Sequence, residues 1–258
     1  MHSEEDWAYR GSGLIVPAEY AAKAQRRTGI DLFCGCGGFS CGFIQAGFEV
    51  LAGLDNDPTA MLTYMLNLGS YPCKVHFVSP KDEAAANKAI SREVVKNENG
   101  LWSVPTSGGG WINHYPEYPG VKHFFLGDIR KLTGKEILTV LGKEVGEIDC
   151  VFGSPPCQGF STANIKRSAG DPRSSLVFEF ARLVVEIKPK TIAFENVPGI
   201  LNMATPEGFP VVDALCRILE DGDFGTFDSL KKMLLKTSGC GAALRTRKGK
   251  TKKEADDE

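Results

Sequence analysis

A thiol, a carboxylate and a glycine-rich turn are the groups in this sequence best placed to do chemistry. Cys157 follows Gly153-Ser154-Pro155-Pro156 and precedes Gln158-Gly159-Phe160-Ser161. Two successive prolines fix two φ angles and remove two donors, so the cysteine is held in a defined, non-helical loop. A rigidly presented thiol beside Gln158 and the Ser161 hydroxyl suits a nucleophile better than the inert burial that is the usual fate of cysteine. Glu195, in Phe194-Glu195-Asn196-Val197-Pro198-Gly199, stands where a carboxyl can protonate, or hydrogen-bond to, a ring nitrogen in a neighbouring pocket. Upstream lies Asp31-Leu32-Phe33-Cys34-Gly35-Cys36-Gly37-Gly38-Phe39-Ser40. Glycines between a strand and a helix let backbone N–H groups approach a ligand closely. Asp55, at the next strand end, sits where an acid takes a ribose hydroxyl pair, and Asp128 in Gly127-Asp128-Ile129 could accept from an adenine amino group. Such a turn alone also fits a tight bend with no ligand. The two spaced acids favour the ligand.

These residues need a scaffold that gathers strand ends. Short apolar runs at 30–33, 50–54, 123–126, 148–152 and 191–194 alternate with helical patterns, the signature of a parallel sheet with helices on both faces. The expected fold is α/β and doubly wound, with a mostly parallel sheet whose ligands sit at the carboxyl ends of the strands. Asp57-Pro58 reads as an N-cap with proline at the first helical position, and Gly69 as the stop. Met61, Leu62, Met65 and Leu66 are the expected buried stripe of that helix. A second amphipathic helix runs from Leu176 through Phe178, Phe180, Leu183, Val184 and Ile187, ending before Pro189. The stretch 70–121 is long for a connection and carries Trp102, Trp111, His114, Tyr115 and Tyr118. Its part 80–99 is helix-prone and the rest reads as an ordered excursion or a lid. The expected organisation is an N-terminal segment 1–28, a domain 29–244 containing that excursion, and a charged disordered tail 245–258.

Composition narrows the function classes. The chain has 258 residues, 42% of them hydrophobic, with a formal net charge of −2. That balance argues against a generally basic nucleic-acid coat and leaves room for a local positive patch. No apolar run of about 18 residues exists, and the first residues are polar and acidic, so neither a membrane span nor a secretory signal is expected. Eight cysteines without such a signal point to a reducing, cytoplasmic setting. Cys34, Cys36 and Cys41 lack the paired spacing of a zinc site, and the four histidines show no ligand or triad spacing. No metal is expected.

Taken in order, Asp31-Leu32-Phe33-x-Gly-x-Gly-Gly, Pro155-Pro156-Cys157-Gln158-Gly159-Phe160-Ser161 and Glu195-Asn196-Val197 resemble three signature motifs of the C5-cytosine DNA methyltransferases. Gly127-Asp128-Ile129 and Asp171-Pro172-Arg173-Ser174-Ser175-Leu176 resemble two weaker ones, and the resemblance covers about 29–219. It implies the Rossmann-like fold of S-adenosylmethionine-dependent methyltransferases. The cofactor would lie over the Gly35–Gly38 turn, with Asp31, Phe33, Gly37 and Pro155 in its site, its ribose on Asp55 and its adenine near Asn56 and Asp128. Cys157 would attack C6 of a cytosine flipped out of duplex DNA, and Glu195 would hold N3 and the exocyclic amine. C5 then takes the methyl group, a base removes its proton, and the thiolate leaves. Arg173 is expected in the catalytic apparatus. The segment 161–173, with Lys166 and Arg167, is expected to close over DNA, where Gln158, Ser161 and Asn196 would also contact substrate. Restriction–modification, phage protection and regulation are the implied biological settings.

The sequence departs from that family after Leu219. The expected Gln-Arg-x-Arg segment, target-recognition domain and closing helix are missing; Arg245-Thr246-Arg247 is the sole Arg-x-Arg, in the low-complexity tail. The stretch 9–17 with the Ala-rich 18–24 vaguely resembles the closing segment, as in a circular permutation, although a bland amphipathic N-terminal helix is the preferred reading. Target recognition would come from the aromatics of 70–121, stacking on bases, or from a second protein chain. The rival functions are an RNA cytosine C5 methyltransferase and a cofactor-binding subunit inactive without its partner.

Overall fold

The computed structural model describes residues 7–9, 15–17, 26–92, 95–96, 102–103, 108–156, 176–205, 208–225, 227, 228 and 230. In chain order its elements are β1 (Trp7–Tyr9), β2 (Ile15–Pro17), β3 (Thr28–Leu32), α1 (Gly38–Gln45), β4 (Glu49–Asp55), α2 (Pro58–Leu68), β5 (Gly69–Phe77), α3 (Pro80–Arg92), β6 (Val95–Lys96), β7 (Trp102–Ser103), β8 (Val121–Leu126), α4 (Gly134–Leu141), β9 (Cys150–Gly153), α5 (Leu176–Ile187), β10 (Thr191–Phe194) and α6 (Val211–Asp221). Six strands form one sheet in the order β10-β9-β3-β4-β8-β5, every pairing parallel. The expected α/β doubly wound fold is the one observed.

The strands read as apolar runs because both faces of the sheet are covered. Along β3, Ile30 and Leu32 point into a core shared with Ile137 and Leu138 of α4 and with Phe180, Leu183 and Ile187 of α5. On the opposite face, Val50, Phe124, Leu126 and Phe152 pack with Ile44 of α1, Met61, Tyr64 and Leu68 of α2, and Ala86 of α3. A third cluster joins α5 to α6 through Val177, Phe178, Ala214, Leu215 and Ile218. Burying such a side chain contributes roughly 1.5–3 kcal/mol, so the two layers hold the sheet without polar alternation along it.

The helix starting at Pro58 forms as expected. The Asp57 side chain accepts from the Thr59 N–H at 2.7 Å and the Ala60 N–H at 3.4 Å, with proline at the first helical position. Its deepest residues are Met61, Tyr64 and Leu68, while Leu62, Met65 and Leu66 are only partly buried. The expected stripe was rotated by about one residue because Tyr64, amphipathic by type, turns its ring inward against Phe124. Gly69 caps the helix in an extended conformation, feeding straight into β5.

Within the excursion the expected helix forms as α3, and the unexpected element is a strand ahead of it. The excursion contains a parallel edge strand, β5, then α3, and the described residues 108–120 fold over the C-terminal end of α2. There Gly108 N–H donates to Met65 O at 3.1 Å and Gly110 N–H to Leu66 O at 2.8 Å. Trp111 stacks on Tyr118, and Tyr115 packs tilted against both, at the amino ends of the strands, opposite the end where ligands bind in such sheets. Near the N-terminus β1 and β2 pair antiparallel, so residues 7–9 and 15–17 are strands where a helix was the preferred reading. The Ala-rich 18–24 and the tail 245–258 lie outside the described residues.

Candidate functional site

The chain runs from β3 through α1 to β4 on one side, and from β8 through α4 to β9 on the other side of β3. The carboxyl ends of β3 and β9 therefore flank the topological switch point, where open α/β sheets leave a crevice. A cavity of about 180 Å³ opens there. Phe33, Asp55, Asn56, Asp128, Arg130 and Pro156 line it, with Leu176 from the start of α5.

The glycine-rich turn makes one rim of the site. Cys34 N–H donates to Leu54 O at 3.0 Å and Gly37 N–H to Cys34 O at 2.9 Å, which bends the chain sharply out of β3. Phe33 takes a φ of +62°, an uncommon conformation for a non-glycine residue and one that collects at ligand sites. Two glycines of the turn do different work. Gly37, at φ +94°, faces inward, and a Cβ there would lie 2.5 Å from Leu68 Cδ1. Gly35, at φ +51°, faces open space, with nothing within 4 Å of its Cβ position, and Gly38 is likewise open. The open side is a cradle against which a ligand backbone could lie.

Asp55 bridges strand end and turn. One carboxylate oxygen accepts from Gly35 N–H at 2.8 Å and the other from Asp57 N–H at 2.9 Å. A carboxylate has about four lone-pair sites, so two remain for a ligand hydroxyl pair. Asp128 caps the short 3-10 turn Ile129–Lys131 and is gripped by Arg130, whose Nε and Nη2 donate at 2.8 and 2.7 Å. Burial would raise the Asp128 pKa, but the Arg130 hydrogen bonds and charge bring it below the ordinary carboxylate value. Arg130 was missed in the sequence; its only signal is its place two residues after Asp128.

Asp31 is different. It is fully buried beneath the turn, off the cavity wall, and accepts from Ser40 Oγ at 2.6 Å; Ser40 Oγ in turn lies 2.8 Å from the Tyr64 hydroxyl. Among the described residues its Oδ1 has no hydrogen-bond partner. Burial pushes its pKa up to about 7, with the Ser40 hydrogen bonds opposing and the Asp55 charge adding to the rise. Its place is that of a brace under the turn. Pro155, expected in the same site, is buried, and Pro156 lines the cavity instead.

The two remaining motifs meet at adjacent strand ends. Glu195 N–H donates to Gly153 O at 3.1 Å, and Asn196 Nδ2 donates to Pro155 O at 2.9 Å. Asn196 Oδ1 accepts from the neighbouring Val197 N–H, which fixes the side chain, while its Nδ2 ties the Pro155 carbonyl to the end of β10. Glu195 is exposed at the strand end. Cys157, Gln158, Ser161, Lys166, Arg167 and Arg173 lie outside the described residues. Among the described residues, no three His, Cys, Asp or Glu side chains are grouped to hold a metal ion, and no helix is long and apolar enough to cross a membrane.

The family model for the C-5 cytosine-specific DNA methylase matches residues 27–86 and 117–221. The stretch between them includes the cap over α2 that carries Trp111. The chain is 31% identical over 198 residues to a putative type II methyltransferase, M.MjaORF1200P, of Methanocaldococcus jannaschii, covering 66% of this chain and 48% of that one. It is 28% identical over 231 residues to type II methyltransferase M.XorII of Xanthomonas oryzae pv. oryzae, covering 85% and 42%. Against type II methyltransferase M.HgiGI of Herpetosiphon aurantiacus it is 31% identical over 168 residues, covering 65% and 88%. The chain spans about half the length of the first two.

Proposed function

The chain belongs to the C-5 cytosine-specific DNA methylase family, and from that premise we propose that it methylates C5 of cytosine in DNA. One observation carries the reading. The Asn196–Pro155 hydrogen bond and the Glu195–Gly153 bond join the backbone leading to Cys157 to the carboxylate at the next strand end, beside a cavity with an acid at each side. A thiol nucleophile and an acid facing the same ring are what addition to C6 of cytosine requires.

The cofactor that fits is S-adenosylmethionine. Gly35 and Gly38 leave open the space a Cβ would fill, Asp55 offers lone pairs for a hydroxyl pair, and Asp128 offers an acceptor for an adenine amino group. When bound, the cofactor supplies an electrophilic methyl group. Cys157, as thiolate, adds to C6 of a cytosine taken out of the stack. Glu195 hydrogen-bonds N3 and the exocyclic amine, so charge developing on the ring is neutralised while C5 becomes nucleophilic. After C5 has gained the methyl group, loss of its proton to a base expels the Cys157 thiolate and restores the aromatic ring. Arg173 is assigned to the catalytic apparatus, and Lys166, Arg167, Gln158 and Ser161 to the DNA side of this site.

The aromatics of 108–120 pack on one another at the far end of the sheet, which argues against their reading bases near Glu195. We assign sequence recognition to another surface, a second protein chain included. The test is transfer of labelled methyl from S-adenosylmethionine to duplex DNA, with and without co-expressed neighbouring proteins. The expected product is 5-methylcytosine in DNA; label in RNA instead, or in another base, would overturn the proposal.

A further inference from the structure

Arg182 has its guanidinium inside the protein. It is 1% exposed in the middle of α5, and every nitrogen of the fork is used. Nε donates to Glu179 at 2.7 Å and Nη1 to Glu186 at 2.8 Å, two carboxylates of its own helix. Nη2 crosses to the segment after β8, donating to Ile129 O at 3.1 Å and Leu132 O at 2.9 Å. The second oxygen of Glu186 accepts from Gly134 N–H at 2.6 Å, a further bond from α5 to the same segment. That segment carries Asp128, Ile129 and Arg130 on the cavity wall, and α5 itself supplies Leu176.

A buried ion cluster is weak evidence for stability, because apolar residues of similar volume would pack at least as well. A guanidinium anchored through Nε and Nη1 on two carboxylates, with Nη2 donating to two backbone carbonyls, does something an apolar side chain cannot: it fixes where those carbonyls stand. We propose that Arg182 is a positioning residue for the adenosyl site, setting the Ile129–Leu132 backbone and through it the Asp128 carboxylate that selects the adenine amino group. This rests on the reading of Asp128 given above.

The experiment compares binding of S-adenosylhomocysteine with that of S-inosylhomocysteine, in which a carbonyl replaces the 6-amino group, by calorimetry on the full chain. The intact protein should prefer the adenosyl compound by roughly tenfold or more. Asp128→Ala should abolish that preference, and Arg182→Lys, which keeps the charge and loses the fork, should reduce it severalfold. Glu186→Ala, which removes the neighbouring bond to Gly134, should lower it in the same direction and decides the matter should Arg182→Lys not fold. An unchanged preference in Asp128→Ala would overturn the reading of Asp128, and the inference with it. A preference lost in Asp128→Ala but kept in the folded Arg182 or Glu186 variant would overturn the positioning role alone. So would equal weakening toward both compounds, the mark of a merely structural residue.

Discussion

Asp31 and Asp55 stand at neighbouring strand ends and do opposite things with the same functional group. Asp55 is wet, shares its oxygens with two backbone N–H groups and faces the cavity. Asp31 is dry, and burial lifts its pKa to about 7. In the unfolded chain it titrates near the ordinary value of 3.8. A carboxyl whose pKa rises on folding binds its proton more tightly in the folded state, so its contribution to stability is full below about pH 4 and is lost as pH climbs toward 7. Asp31→Asn should therefore flatten the decline in unfolding free energy between those limits, as followed by urea denaturation across the range. A variant that declines as steeply as the parent would show that Asp31 is not the group responsible. At this scale the acids and the Glu195-Asn196 pair were legible because each sits at a fixed offset from a strand end. The burial of Asp31, the grip of Arg130 on Asp128 and the exchange of Pro156 for Pro155 on the cavity wall were not. They depend on which way side chains turn once neighbouring segments are in place.

The elements divide by how local their causes are. The start and stop of α2 could be read because proline, Asp57 and Gly69 act within a few residues, whereas its buried face, which Tyr64 and Leu68 share with Met61, could not. Asp57→Ala removes the side-chain acceptor for two N–H groups at its start and should lower stability by about 1 kcal/mol. The denaturant midpoint measures this, and a shift no larger than that of an exposed substitution such as Lys135→Ala would contradict the capping role. By contrast β5 was hidden within a supposed connection. As an edge strand it carries Pro72 and Lys74 and leaves several residues exposed, features an edge tolerates and a central strand does not. Its identity is set by β8, where Val75 lies opposite Phe124 and Phe77 opposite Leu126. No pattern within its own residues announces that partner.

For the molecule as a whole, the doubly wound order matters because it turns five separate motifs into one site. The turn after β3, the acids after β4 and β8, the Pro155-Pro156 loop and the Glu195-Asn196 pair all leave the same end of the sheet. That convergence was legible from alternating apolar and helical runs, since a parallel sheet places every strand's carboxyl end on one side. The role of 108–120 was not, because its aromatics gave no sign of which end of the sheet they would cover. Attack of Cys157 on cytosine C6 beside Glu195 can be tested by trapping. In a duplex carrying 5-fluorocytosine, the C5 substituent cannot leave as a proton, so the protein should stay covalently attached through Cys157 when S-adenosylmethionine is present. An adduct that survives a denaturing gel is expected with the intact chain and not with Cys157→Ala. An adduct that persists in Cys157→Ala, or no adduct from intact protein that binds both cofactor and DNA, would contradict attack by Cys157.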